Sequence, residues 1–176
     1  MGNNTRKPYS ERTDIERLQS SWKKLSGLMQ RNEWSAAITR AATAAEIAAN
    51  IAVRHELQEQ RHLEASFVDH LLKWANGLSG KLDKLLRPLH TTKARQNVFK
   101  SIQKKAQKIN DQRNLVVHSG HFMNQEEAVE VVTLAKEFIE QLVRTYHKGF
   151  KLWHHRTQRN LTRRSIRLAT SVLRAS

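Results

Sequence analysis

The chain has 176 residues, 39% of them hydrophobic and 27% charged, which is enough apolar material for one ordinary core and too little for a second large domain. Its 31 Lys and Arg against 16 Asp and Glu give a formal charge of +15, so the surface field attracts polyanions, nucleic acid ahead of anionic membrane. The absence of cysteine excludes disulfides, thiol catalysis and cysteine-ligated zinc, and the polar start and lack of any apolar run near the roughly 20 residues of a membrane span point to a cytoplasmic protein without membrane attachment.

Apolar residues recur three and four apart along most of the chain, and only two prolines and six glycines interrupt it. This predicts an all-α fold, an antiparallel bundle of about five helices over residues 1–150 with a basic extension over 151–176. A first helix is expected from about Glu11 to Arg31, with Ile15, Leu18, Trp22, Leu25 and Leu28 or Met29 on one stripe. A second, about Trp34 to Gln60, is rich in alanine, which lets neighbouring helices approach closely and makes it central. The third is expected over Leu63 to Leu86 with Phe67, Leu71, Trp74 or Leu78, Leu82 and Leu85 inward; Gly77 and Gly80 loosen its middle and Arg87-Pro88 stops it. Trp22, Trp34 and Trp74 all read as core residues.

A fourth helix starts at Thr91 or Thr92, buries Phe99, Ile102, Ala106, Ile109 and Val116, and ends at His118-Ser119-Gly120, where glycine supplies a stop. The fifth opens with Asn124 as cap and Glu127 reaching back to it, with Val129, Val132, Ala135, Ile139, Leu142 and Tyr146 toward the core. From Lys148 onward there are eight Lys or Arg residues and no acidic one. Leu161, Ile166, Leu168, Val172 and Leu173 make this segment a basic amphipathic helix docked on the body or on a partner. Trp153, His154, His155, Arg156 and Arg159, followed by Arg163, Arg164 and Arg167, combine stacking surface with positive charge, as RNA contacts do; an acidic partner protein or an anionic membrane is the alternative.

The segment that carries chemistry is Arg113-Asn114-Leu115-Val116-Val117-His118-Ser119-Gly120, followed within six residues by a capped amphipathic helix. Here the chain resembles the HEPN superfamily, whose signature is an Arg, usually followed by a polar residue such as Asn, with a His five to seven positions on. The likeness covers the helical pattern from about Trp34 to Tyr146 and stops short of the basic tail. It implies a metal-independent endoribonuclease with no cofactor, working as a homodimer with a composite site and leaving a 2′,3′-cyclic phosphate and a 5′-OH. It also implies a setting in toxin–antitoxin modules, anti-phage defence or RNA processing, with an antitoxin or defence-system partner. Some family members carry a tyrosine two residues after the His that a partner enzyme modifies, whereas Gly120 stands there in this chain.

The residue types suit the reaction. Histidine, which titrates near neutrality, can act as general base or acid, and the planar guanidinium of Arg113 can hold phosphate oxygens while Asn114 orients either partner. At ~100° per residue, however, Arg113 and His118 lie about 140° apart on a straight helix, so either the helix unwinds near Gly120 or two copies of the motif meet across a dimer. The resemblance adds a polar residue from an earlier helix as support, and Glu46, set among alanines, is the candidate. Lys100, Lys104, Lys105 and Lys108 recur at helical spacing upstream of the motif and read either as a phosphate-facing ridge or as solvated charge. The rival function is a catalytically silent HEPN-like module that binds RNA or a partner protein.

Overall fold

A computed structural model describes residues 7–153, and every described element is helical. The tail residues His154, His155, Arg156, Arg159, Arg163, Arg164 and Arg167 lie outside the described residues. Six α-helices follow one another: α1 (Asp14–Gln30), α2 (Trp34–Arg54), α3 (Ala65–Trp74), α4 (Gly77–Gly80), α5 (Lys93–Ser119) and α6 (Gln125–Arg144). Wider π-helical turns prolong α2 over His55–Glu59 and α4 over Lys81–Leu86.

Helix α2 is the central post, packed by α1, α5 and α6. Its alanines at 37, 41, 44, 45, 48, 49 and 52 are all buried, which is how three helices can crowd round one without large side chains filling the gaps. Trp22, Leu18 and Leu25 from α1 and Phe138, Ile139 and Leu142 from α6 supply the bulk that the alanines leave out. A three-residue turn joins α1 to α2, and at the far end the Arg54 guanidinium reaches both Asp14 on α1 (3.1 Å) and Asp69 on α3 (2.6 Å), tying three helices at one point.

The helix ends follow local chemistry. Helix α1 opens later than expected from its stripe, because Thr13 is the cap: its Oγ1 accepts from Glu16 N and its own N–H donates to Glu16 Oε2 at 2.7 Å, which pulls the Glu16 carboxyl below its usual range. Thr92 caps α5, and Asn124 and Glu127 form the reciprocal box that opens α6. Glycine at 120 adopts the left-handed conformation, φ 62°, and closes α5 with N–H bonds from Gly120 and His121 back to the Leu115 carbonyl. The turn that follows is fastened to the start of α2, where Ser35 Oγ accepts from Met123 N at 3.0 Å. Thus α5 runs antiparallel to α2, and α6 returns beside it.

The third expected helix is corrected in two ways. It is not continuous: α3 stops at Trp74 and the chain restarts at Gly77, whose positive φ of 72° suits glycine. Its inward face is also rotated. Val68, Leu72 and Ala75 are buried, whereas Phe67 and Trp74 stand more than half exposed, with Lys84 Nζ 4.6 Å above the Trp74 ring. Of the tryptophans read as core, Trp22 is fully buried and Trp34 partly so, while Trp74 is on the surface.

Candidate functional site

Arg113, Asn114 and His118 sit on the last turns of α5, an unbroken helix through Ser119. Arg113 Nη1 donates to Asn114 Oδ1 at 3.2 Å, so the asparagine fixes the arginine's fork from the adjacent position. Both are half-buried, and His118 is exposed one turn on from Asn114. The helix does not unwind before His118. Within one chain, therefore, Arg113 and His118 project about 140° apart and do not meet.

The surface round the motif is apolar where it would be expected to be polar. Leu115 and Val117 are each over two-fifths exposed, and Phe122, in the turn beyond Gly120, is 93% exposed. Isolated exposed leucines are ordinary, but at ~100° per residue Leu115 and Val117 lie about 160° apart, so apolar side chains are bare on both sides of the helix end, with the almost naked Phe122 just beyond it.

The lysines expected to lead toward the motif divide. Lys104 and Lys108 are exposed. Lys105 is drawn to α6, where its Nζ lies 3.0 Å from Glu137 Oε2 and 3.3 Å from Gln141 Oε1, so much of its charge is spent within the fold. Glu46 is engaged by Lys81: the ammonium, with only 4% of the residue exposed, finds its counter-charge in that carboxylate. A buried lysine needs such a partner, which gives Glu46 a structural task whatever else it does.

At the opposite end of α5 the structure brings together residues that no sequence spacing connects. A cavity of about 670 Å3 is lined by His55, Glu56, Gln60 and Arg61 at and just past the end of α2, His90 from the turn before α5, Arg95, Val98, Phe99 and Ile102 from α5, Leu142 from α6 and Tyr146 just beyond it. On a helix rising ~1.5 Å per residue, Arg95 and Arg113 are about 27 Å apart, so this is a separate place. Arg61 Nη1 pairs with Glu56 Oε2 at 2.7 Å. His55 Nδ1 is 2.7 Å from Glu59 Oε2, close enough for charge pairing yet off line for a hydrogen bond, and its ring lies 4.9 Å from that of Tyr146.

Burial disfavours the charged form of two of these groups. It pushes the His90 imidazole below its ordinary value, with Arg95 and Arg61 adding to the effect and Glu56 opposing it. Burial, then the Glu56 carboxylate, pushes the Tyr146 phenol far up. Sequence reasoning had no handle on this site: its members come from four separate elements, and the only local sign was a scatter of histidines at 55, 62, 90 and 147 beside the helix ends.

Compared with protein-family models, with curated proteins and with solved structures, the chain matches none. Among the described residues no helix is long and apolar enough to cross a membrane.

Proposed function

We propose that the protein is a metal-independent endoribonuclease of HEPN type, acting as a homodimer whose two α5 ends form one cleft. The observation that carries this reading is the end of α5 itself: Arg113 is held by Asn114, His118 is open to solvent, and the surface around the helix end, with Leu115, Val117 and Phe122 on it, is left bare. A second copy laid over that surface would bring its own His118 toward the first copy's Arg113, which an unbroken helix cannot do alone. In such a cleft His118 takes the proton of an RNA 2′-OH and the 2′ oxygen attacks phosphorus. Arg113 neutralises the phosphorane, and the P–O5′ bond breaks with the departing oxygen protonated from solvent. The net charge of +15 draws the substrate in. The biological role we attach to it is that of a cytoplasmic toxin or anti-phage effector with a regulating partner protein.

The test is complementation in excess EDTA on mixed single-stranded RNA. Arg113→Ala and His118→Ala are each expected to lose at least ~100-fold in cleavage rate with helical content intact. Co-refolded one to one, they should recover roughly a quarter of wild-type activity, since half the dimers are mixed and each mixed dimer has one complete site. A dead mixture would defeat the composite site. RNA binding by wild type without any cleavage would defeat catalysis and leave the silent binding module.

A further inference from the structure

The cavity at the other end of α5 is built as a ligand site, and its chemistry narrows the ligand. Of its two guanidiniums, Arg61 is already paired with Glu56, while Arg95 makes no ion pair among the described residues. The lining therefore holds one guanidinium more than it holds carboxylates, which suits a ligand with a single acidic group. One and two turns along α5 from Arg95, the wall is apolar and aromatic. Phe99 is buried with its ring 4.7 Å from that of His90, and Val98, Ile102 and Leu142 continue the surface. His90 Nδ1 is buried and has no hydrogen-bond partner among the described residues, an orphan that a ligand donor or acceptor could satisfy. The volume lies within the range of small-molecule sites, and the mixture of apolar walls with a few convergent polar groups is their usual make-up.

We propose that this cavity binds a small ring-bearing anion, its acidic group on the Arg95 guanidinium and its ring against Phe99 and His90. The reading is independent of what the Arg113–His118 end does, and its test reads binding rather than cleavage. Phenyl phosphate and benzoate are the probes, a phosphate and a carboxylate on the same ring; inorganic phosphate lacks the ring and benzyl alcohol lacks the charge. Titrated into the full chain, the better of the two ring-bearing anions is expected to bind with a dissociation constant of about 1 mM or tighter. It should bind at least ~10-fold tighter than either control, and which head group wins identifies the acid.

Amide shifts should fall on residues 90–102 and 142–146. Arg95→Gln, at an exposed position, should weaken binding at least ~10-fold without moving the Tm. Three results would overturn the proposal: ring-bearing anions no better than inorganic phosphate, Arg95→Gln binding as well as wild type, or shifts confined to the Arg113–Phe122 end or spread over surface lysines.

Discussion

The two ends of α5 are built on opposite plans. At the amino-terminal end Phe99 is buried against His90, and histidines, arginines and a tyrosine from neighbouring elements converge on a half-open cavity. At the carboxyl-terminal end Phe122 is bare, Leu115 and Val117 face outward, and the polar residues of the motif come from one short stretch of one helix. The first end is complete within a single chain. At the second, Arg113 touches Asn114, but His118 stands apart from both.

That contrast can be broken by substitution, and the largest effect is expected at the cavity end. Phe99→Ala should cost about 3–5 kcal/mol in urea unfolding, because a well-packed ring leaves a hole the α2–α6 frame cannot close. The matching Phe122→Ala should stay within about 0.5 kcal/mol, since its ring touches mainly water. Equal costs would mean that Phe122 packs in solution and that the bare end is not bare.

Glu46, expected to support the motif and found against Lys81, should show an intermediate cost. Glu46→Ala strands a buried ammonium; the carboxylate's own partial exposure lets water relieve some of that, so a loss of about 1–3 kcal/mol is expected in the same assay. If stability is unchanged while cleavage collapses, Glu46 belongs to the motif end instead.

The smallest effect is a pH dependence at the cavity end. His90 is depressed in the folded chain relative to its ordinary value near 6.5, so the fold prefers the neutral imidazole. Its contribution is fully present above about pH 6.5 and is lost as the pH falls from there through the lower folded value. His90→Gln should flatten the stability profile below pH 6.5 relative to wild type.

Much of this architecture was legible because the signals are local. Asn124 with Glu127, Thr92 and the left-handed Gly120 mark helix ends by chemistry confined to four or five residues, and structure and sequence agree there. The central alanine helix was equally plain. Helix α3 was misread because it carries two apolar stripes: Phe67 with Leu71 and Trp74 competes with Val68, Leu72 and Ala75, and periodicity cannot choose between faces about 100° apart. The larger aromatics suggested the wrong one. The motif was legible as a string of residues, but its use depends on what covers it; the cavity was invisible because His55, His90, Arg95 and Tyr146 meet only after folding.

One consequence follows from the length of α5. Its 27 residues make a rod of about 40 Å, with the cavity near one tip and Arg113 to His118 at the other. A stiff lever of that span converts a tilt of about 4° at one tip into a displacement of nearly 3 Å at the other, and the geometry of a reacting group is sensitive to errors of about 1 Å.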